Sequence, residues 1–171
     1  MPVSTASFTD AEILHATGAT RSGPGPAAAF PAVCTDSRAL VPGCLFVALK
    51  GERFDAHEFL PAALAGGAAA VVVEQGRTVP AGATAYAVAD TLAALGALAR
   101  HHRRRFQLPL GAVGGSNGKT TTKEMVAAIL GTRGPAMKTE GNLNNEVGLP
   151  LTLFRLAPEH VAGVVELGMN R

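Results

Sequence analysis

The sequence predicts an α/β fold in two parts, a small N-terminal α/β domain over residues 1–107 and the beginning of a second domain with a mostly parallel sheet over residues 108–171. Strand-like apolar runs alternate with segments of helical periodicity, an order that favours an α/β layer. The string LGAVGGSNGKTTTK, residues 110–123, passes from an apolar run through a Gly-rich turn into a helix. Pro109 interrupts the chain just before that run, so residues 106–109 are predicted to be an interdomain linker.

Before Asp90 the N-terminal part shows signals for two helices and four strands. Thr9 and Glu12 have the spacing of a capping box, which predicts a helix over residues 10–17 that ends at Gly18. Residues 19–31 are predicted to form a loop. Extended runs follow at residues 33–36, 44–49, 69–74 and 84–88, with a helix at residues 57–65 whose start is complicated by Pro61.

Asp90 is the predicted N-cap of a helix that carries Leu92, Leu95 and Leu98 on one side. This helix ends in the basic run HHRRR, residues 101–105. The run allows two interpretations, a nucleic-acid contact or a solvated helix end, and the second is favoured because cations stabilise the last turn of a helix. No nucleic-acid partner is therefore predicted, in agreement with a formal net charge of only +2.

The second part continues the same alternation of helix and strand. Met125, Val126, Ile129 and Leu130 fall on one face of a predicted helix that ends near residues 131–134, and a short strand is predicted near Ala136. The string EGNLNNEVGLPLTL, residues 140–153, begins with turn composition and continues as an apolar, helical half. Residues 161–167 are predicted to form a buried strand.

Composition places the chain among globular proteins. With 171 residues, 47% of them hydrophobic, it can bury a sizeable core. Residues 1–31 contain no basic stretch followed by an apolar core, and the longest apolar stretch, residues 62–73, is too short to span a bilayer. Cys34 and Cys44 lack metal-ligand spacing and fit a reducing compartment as buried thiols. These observations predict a cytoplasmic protein without membrane insertion.

The Gly-rich turn has the composition of a phosphate-binding loop, or P-loop. Glycines let several backbone N–H groups point at one anion, the helix N-terminus adds partial positive charge, and a lysine supplies a full charge. The strict pattern G-x-x-x-x-G-K-[ST] is altered, because Val113 stands where its first glycine would be. The alternative is a Gly-rich turn that merely precedes a helix. The predicted ligand is ATP or GTP with Mg²⁺, held by Gly115, Ser116, Asn117, Gly118, Lys119, Thr120 and Thr121.

Glu166 ends the apolar run VAGVVE and is predicted to bind Mg²⁺ together with Thr120, although a strand-end glutamate can also be simply solvated. The cluster Asn142, Asn144 and Asn145 offers amide donors and acceptors for phosphate, sugar or metal-bound water, while its composition alone favours turn chemistry. A third polar group in the N-terminal part either lines an anion site or forms a polar rim. Its members are Asp36, Ser37, Arg38, Lys50, Arg53 and His57.

Several separated strings then point to one family. GSNGKTTTKEM, EGNLNNEVGLPLTLFRL and ELGMNR follow in this order, preceded by TDSR and LKGERFDAHEF. Together they closely resemble the Mur ligases, ATP-dependent amide-forming enzymes of peptidoglycan synthesis, over residues 8–171. Within that family the asparagine-rich string and ELGMNR are similar to the enzymes that join D-alanyl-D-alanine to UDP-MurNAc-tripeptide. The chain departs from the family pattern at Gly114, which is commonly Thr, and at Ala56, which is commonly Gly.

The resemblance implies a mechanism and a role for each candidate residue. ATP phosphorylates the terminal carboxylate of the UDP-linked tripeptide, and the amine of D-alanyl-D-alanine attacks the acyl phosphate. Lys119 and Glu166 are then the catalytic residues, with Thr120 and Glu166 holding Mg²⁺. The implied substrate contacts are Asn142 and Asn145 beside the ATP site, Ser37 and Arg38 on the UDP side, and Lys50, Arg53 and His57 as a neighbouring wall.

The same resemblance assigns the domains. Residues 1–107 correspond to the UDP-substrate-binding domain and residues 108–171 to the beginning of the central P-loop ATPase domain. Family enzymes continue through the rest of that domain and a third one, so we expect the 171-residue chain to be an inactive fragment by itself and the full-length enzyme to be a monomer. The open alternatives are a Mur-type ligase with another amine donor and a non-catalytic nucleotide-binding module.

Overall fold

A computed structural model describes residues 6–25, 28–51 and 54–168 of the chain. The chain divides into two compact units, Met1–Leu98 (unit 1) and Ala99–Arg171 (unit 2). This division lies inside a helix, Thr91–Arg103, rather than at the linker near residue 107 where the sequence predicts a domain boundary. The helix runs without a break through the division, so no change of composition marks it in the sequence.

Unit 1 contains one five-stranded sheet. Its strands in sheet order are β1, β5, β4, β3 and β2, of which β2 to β5 are mutually parallel and β1 is antiparallel to β5. An apolar cluster that includes Phe46, Val71 and Leu60 packs residues of the sheet together with α2. The elements in chain order are α1 (Asp10–Thr17), β1 (Thr20–Ser22), β2 (Val33–Cys34), β3 (Leu45–Val47), α2 (Leu60–Ala65), β4 (Ala70–Glu74), β5 (Thr84–Val88) and α3 (Thr91–Arg103), whose residues from Ala99 onward belong to unit 2.

Most predicted elements of unit 1 are present, and the loop prediction for residues 19–31 is wrong in part. β1 occupies three exposed residues of that segment, and Phe30 forms an isolated antiparallel bridge with Phe8. The sequence Thr-Arg-Ser has no apolar alternation, so its strand arises from edge pairing with β5 rather than from burial. The predicted helix 57–65 begins as a 3-10 helix, Ala56–Phe59, and Pro61 lies in the first turn of α2, where it needs no N–H partner.

Unit 2 contains a three-stranded parallel sheet in the order β6, β8, β7. Its strands and helices are β6 (Leu110–Val113), α4 (Lys119–Gly131), β7 (Ala136–Lys138), α5 (Gly148–Leu153) and β8 (Ala162–Glu166). β8 is the central strand and is buried along its whole length. Met137, Leu156 and Val165 form the buried part of the apolar cluster around it.

The basic run at the end of α3 is only partly solvated. His102 is buried, contacts the ring of Phe106 edge-on at 5.0 Å between centroids, and lies with Nε2 3.0 Å from the Leu156 carbonyl oxygen. Arg103 donates to the carbonyl oxygens of Phe106 and Leu108, at 2.5 and 2.9 Å. The prediction of a fully solvated run is therefore wrong for these two residues, because the linker after the helix folds back onto them.

The apolar face predicted on α4 is not a buried face of this chain. Met125 and Ile129 are 62% and 68% exposed, while Val126 and Leu130 are half-buried. The helical periodicity correctly predicts a helix. The rest of unit 2 covers only part of the apolar face of that helix. Across the described ranges, no helix is both long and apolar enough to cross a membrane.

Candidate phosphate-binding site

The glycine-rich turn of unit 2 connects β6 to the first residue of α4. Gly115 and Gly118 have φ angles of +142° and +72°, which a side chain would strain, so glycine is required at both positions. The turn delivers the chain directly into α4, a helix of thirteen residues that begins at Lys119. The unpaired N–H groups of its first turn and its dipole favour an anion in the concavity of the turn.

Lys119 closes over this loop. Its Nζ donates to the carbonyl oxygen of Gly115 at 2.7 Å and lies 3.4 Å from that of Ser116. These partners are neutral loop carbonyls, and among the described residues no carboxylate forms an ion pair with this ammonium. A phosphate oxygen is a stronger partner than a carbonyl for the same charge, so Lys119 can exchange these bonds for an anionic ligand.

Glu166 lies at the carboxyl end of β8 with its carboxylate directed toward the start of α4. Only 3% of the residue is exposed. Thr120 donates its hydroxyl to Oε2 at 3.0 Å, and Asn144 donates its amide to Oε1 at 2.9 Å. The sequence predicts that Thr120 and Glu166 serve one site, and the structure brings these two side chains together.

The environment keeps Glu166 ionised at neutral pH. The hydrogen bond from Asn144 makes the largest contribution and lowers the pKa of the carboxyl group, while burial opposes it. The hydrogen bond from Thr120 and the positive charges of Lys123 and Lys119 lower the pKa further. A buried carboxylate held in this way presents two oriented oxygens at the edge of the sheet.

Three residues of this arrangement were not among the sequence-predicted site residues. Asn144 was seen only as one member of the asparagine cluster, and Lys123 and Thr139 carried no signal. Lys123 is 2% exposed and donates to the Thr139 carbonyl at 2.8 Å, with its Nζ 3.9 Å from Glu166 Oε2. Thr139 in turn accepts the backbone N–H of Glu166 on its hydroxyl at 2.9 Å. Only the register of β7 beside β8 brings these groups together.

The two asparagines predicted as substrate contacts lie differently from Asn144. Asn145 accepts the backbone N–H groups of Val147 and Gly148 on Oδ1, at 3.2 and 2.7 Å, which is the turn chemistry that its composition favours. Asn142 is exposed, and its carbonyl accepts the N–H of Asn144 at 2.8 Å. The structure therefore brings Asn144, and neither Asn142 nor Asn145, into hydrogen-bond contact with Glu166.

The oxygens of Thr120 and Glu166 fit a magnesium ion chemically. Mg²⁺ prefers hard oxygen ligands and is usually held by one or two protein groups, with water and substrate phosphates filling the remaining positions. A hydroxyl and an ionised carboxylate 3.0 Å apart, next to a phosphate loop, provide such a partial set. Among the described residues no group of three or more His, Cys, Asp or Glu side chains gathers as an independent metal site.

In unit 1 the predicted anion-binding residues follow the carboxyl ends of parallel strands. Ser37 and Arg38 come after β2, Lys50 comes after β3, and His57 lies in the 3-10 helix Ala56–Phe59. Since β2 and β3 are parallel neighbours, their carboxyl ends lie at one edge of the sheet, the edge where α/β proteins bind ligands. Arg53, predicted beside them, lies outside the described residues.

Two of these residues are engaged within unit 1. Arg38 donates through Nε and Nη2 to the two carboxylate oxygens of Asp36, at 2.9 and 2.7 Å, and these bonds lower the pKa of Asp36 to about 2. The Arg38 side chain is otherwise exposed and can still reach an anion. His57 is buried, with Nδ1 2.5 Å from Asp55 Oδ1 and Nε2 accepting the backbone N–H of Glu74 at 3.0 Å. Both nitrogens of His57 are therefore used inside the protein, and a direct substrate contact is not supported by this geometry.

Comparison with known families covers most of the chain. Residues 30–103 match the catalytic domain of the Mur ligase family, and residues 113–171 match the Mur ligase middle domain. The Escherichia coli UDP-N-acetylmuramoyl-tripeptide–D-alanyl-D-alanine ligase is 52% identical over 139 residues, which are 81% of this chain and 30% of that enzyme. The ligase of the same name from Synechocystis is 48% identical over 143 residues, 81% of this chain and 31% of that enzyme. The chain thus spans about 30% of the length of these curated relatives.

Solved structures agree with the sequence comparison. A crystal structure of MurF from Acinetobacter baumannii superposes with a TM-score of 0.92 at 40% identity, over 99% of this chain and 37% of that one. MurF from Thermotoga maritima, solved in complex with ADP, superposes with a TM-score of 0.74 at 36% identity, over 81% of this chain and 32% of that one. The predicted α/β architecture is confirmed by these neighbours. The chain belongs to the Mur ligase family.

Proposed function

We propose that this chain supplies the nucleotide-binding and UDP-substrate-binding parts of an ATP-dependent ligase that joins D-alanyl-D-alanine to UDP-MurNAc-tripeptide. The observation that carries the proposal is the convergence of Thr120 and Asn144 on the buried carboxylate of Glu166, beside the glycine-rich loop and Lys119. The ADP bound by the Thermotoga relative and the substrates named for the curated relatives support it.

In this proposal unit 2 binds ATP. Backbone N–H groups of residues 115–121 receive the phosphates, and Lys119 exchanges its loop carbonyls for the charge of the transferring phosphoryl group. Thr120 and Glu166 hold Mg²⁺, which offsets charge on the phosphates when it is bound. Asn144 and Lys123 orient the Glu166 carboxylate, while Asn142 and Asn145 contribute near the substrate. The positioning of these groups before ATP arrives reduces the reorganisation that phosphoryl transfer requires.

Unit 1 receives the UDP part of the other substrate at the carboxyl edge of its sheet. Ser37, Arg38 and Lys50 are the proposed contacts, with Arg53 as a further candidate. A diphosphate is a suitable ligand for this edge because Arg38 and Lys50 are exposed cations on neighbouring strand ends. We further propose residues 1–107 and 108–171 as the functional domains, a cytoplasmic location consistent with the free buried thiols of Cys34 and Cys44, and a monomeric full-length enzyme.

The proposed activity is tested with a chimera in which this chain replaces the matching N-terminal part of the Escherichia coli relative. The chimera is expected to release ADP only when UDP-MurNAc-tripeptide and D-alanyl-D-alanine are both present. The same chimera carrying Lys119→Met should bind the UDP substrate but release no ADP. A folded chimera that uses another amine donor in preference would identify a different Mur-type ligase. A folded chimera that binds ATP and ligates nothing would favour a non-catalytic nucleotide-binding module.

A further inference from the structure

After β3, at the carboxyl edge of the unit 1 sheet, the described residues Lys50, Gly51, Phe54 and Asp55 form what is called here the Lys50 turn, and Lys50 is exposed. Lys50 and Asp55 form an isolated antiparallel bridge at the base of the turn. The Ala56 N–H donates to the Leu49 carbonyl at 3.0 Å, and the Gly51 N–H donates to the Phe54 carbonyl at 2.9 Å. Both bonds join residues 49–51 to residues 54–56, and neither of the two attaches the turn to another strand of the sheet.

His57 makes that attachment. The backbone N–H of Glu74 is a donor, so Nε2 of His57 must accept it, and the proton of the neutral ring lies on Nδ1. Nδ1 then donates to Asp55 Oδ1 at 2.5 Å. Asp55 Oδ1 also accepts the backbone N–H of His57 at 3.1 Å. One buried ring therefore links the base of the turn to the carboxyl end of β4.

Arg77 closes the same connection from the solvent side. Its Nη2 donates to Asp55 Oδ2 at 2.6 Å and to Glu74 Oε2 at 3.1 Å. The positive charge of Arg77 lies between two carboxylates and is largely compensated by them, which makes this arginine a poor contact for a phosphate. His57, Asp55 and Arg77 together form a clamp, hereafter the His57 clamp, that fixes the turn to β4.

We propose that the His57 clamp positions Lys50 for the diphosphate of the UDP substrate, so that His57, Asp55 and Arg77 act through Lys50 and do not touch the substrate. This inference rests on the proposed function of unit 1. Lys50 is at the start of the clamped turn and its bridge partner is Asp55, so movement of Asp55 moves the Lys50 backbone directly. A cation held at a fixed place loses less conformational freedom on binding than one on a loose turn.

The test measures the dissociation constant of UDP by titration calorimetry on the 171-residue chain. His57→Phe keeps a ring of similar volume and removes both nitrogens. It is expected to weaken UDP binding about 10-fold, which lies within the range of interaction energies between residues of one hydrogen-bond network. Arg77→Met changes only the partly exposed side of the clamp and should weaken binding about 3-fold. The matched control is Tyr86→Phe, which removes a 2.6 Å bond to Asp10 elsewhere in unit 1 and should leave UDP affinity unchanged.

A double-mutant cycle with Lys50→Met separates positioning from general destabilisation. In the Lys50→Met chain, His57→Phe and Arg77→Met are expected to cause no further loss of UDP affinity. Hydrogen exchange at the Gly51 and Ala56 amides should accelerate in both clamp variants and stay unchanged in Tyr86→Phe. Equal losses with and without Lys50, or unchanged exchange in the turn, would overturn the positioning role.

The outcomes also distinguish the clamp from the function on which it rests. A wild-type chain that does not bind UDP, or a Lys50→Met chain that binds it normally, contradicts the proposed function of unit 1. The positioning role of the His57 clamp is then wrong as well. UDP binding that needs Lys50 but is indifferent to His57 and Arg77 overturns the clamp alone.

Discussion

The two units of this chain place similar residue types at the carboxyl ends of parallel strands, and they use them differently. In unit 1 His57, Asp55 and Arg77 satisfy one another within the His57 clamp, while Arg38 pairs with Asp36 and stays exposed. In unit 2 Lys119 donates to neutral loop carbonyls, and Asn144 and Thr120 orient Glu166. Residue type alone therefore does not separate a binding group from a structural one; the partners and the exposure of the side chain do.

The units also differ in how fully their apolar residues are buried. The unit 1 cluster includes fully buried Phe46, Val71 and Leu60 around a five-stranded sheet. In unit 2 the cluster is smaller, and Met125 and Ile129 of α4 remain exposed. We infer that unit 2 holds a well-ordered phosphate site on a less stable scaffold than unit 1.

The largest expected effect is on the free energy of unfolding, and it is found by making the same substitution, Ile to Ala, in each of the two units. Ile13 is fully buried in α1, and Ile13→Ala should lower the free energy of unfolding by about 2–5 kcal/mol because it leaves a cavity. Ile129 is largely exposed, so Ile129→Ala should change it by less than about 0.5 kcal/mol. Urea unfolding followed by circular dichroism measures both. Similar losses for the two variants would show that the α4 face is buried in solution.

Lys119→Met should have the next largest effect. Removal of the ammonium beside the phosphates is expected to weaken ATP binding by about 30- to 100-fold, which corresponds to the free energy of one hydrogen bond to a charged group. Lys138→Met removes an equally long cation from the end of β7 and serves as the control, with an expected change below about twofold. Titration with ATP and Mg²⁺ measures both, and equal affinities in the two variants would mean that the loop does not bind the triphosphate.

Asn144→Ala tests the residue that the sequence did not single out. Loss of its hydrogen bond to Glu166 Oε1 should weaken Mg²⁺-dependent ATP binding about 10-fold, as for other groups that orient a metal-binding side chain. Glu146→Gln, at an exposed neighbouring position, is the control and should have no measurable effect. The role assigned to Asn144 is wrong if the two variants bind Mg-ATP equally well.

Asp55→Asn should have the smallest effect, and one that depends on pH. Burial raises the pKa of Asp55, but the hydrogen bonds from the ring and the backbone N–H of His57 and the charge of Arg77 outweigh burial and bring the pKa to about 2. The folded pKa lies below the unfolded one, so this contribution is complete above about pH 4 and is lost as the pH falls toward 2. At neutral pH the variant should lose about 1 kcal/mol, since Arg77 is partly screened by solvent. The melting temperatures of the two proteins should converge as the pH falls toward 2, and a constant difference would contradict the assignment.

The sequence was informative where chemistry is local in the chain. Gly118, Lys119 and Thr120 are consecutive, so the loop could be predicted without knowing any tertiary contact, and the Thr9 capping box predicted α1 correctly. The position of Glu166 at the end of an apolar run, taken together with the phosphate loop before it, predicted a site shared with Thr120, and the two side chains are hydrogen-bonded.

The contacts that could not be predicted join residues that are distant in the sequence and are brought together only by the fold. Three asparagines lie within four positions, and only the fold decides that Asn144 reaches Glu166 while the Asn145 side chain accepts the backbone N–H groups of Val147 and Gly148. In the sequence Lys123 is an ordinary polar residue of a helix. Its contact with the Thr139 carbonyl becomes visible only when β7 is placed beside α4. His57 was predicted to contact substrate from its place after Lys50 and Arg53 and from the family resemblance, and only the fold shows that its ring accepts the backbone N–H of Glu74, 17 residues along the chain. No periodicity or composition reports such contacts.

The most direct test of the account is the magnesium dependence of ATP binding to the 171-residue chain and to its Glu166→Gln variant. Glutamine keeps an acceptor for Thr120 or Asn144 and removes the charge that Mg²⁺ requires. The wild-type chain should bind ATP at least about 10-fold more tightly with Mg²⁺ than with a chelator, and Glu166→Gln should bind at the chelator level under both conditions. A variant that keeps the full magnesium enhancement would contradict the site described for unit 2.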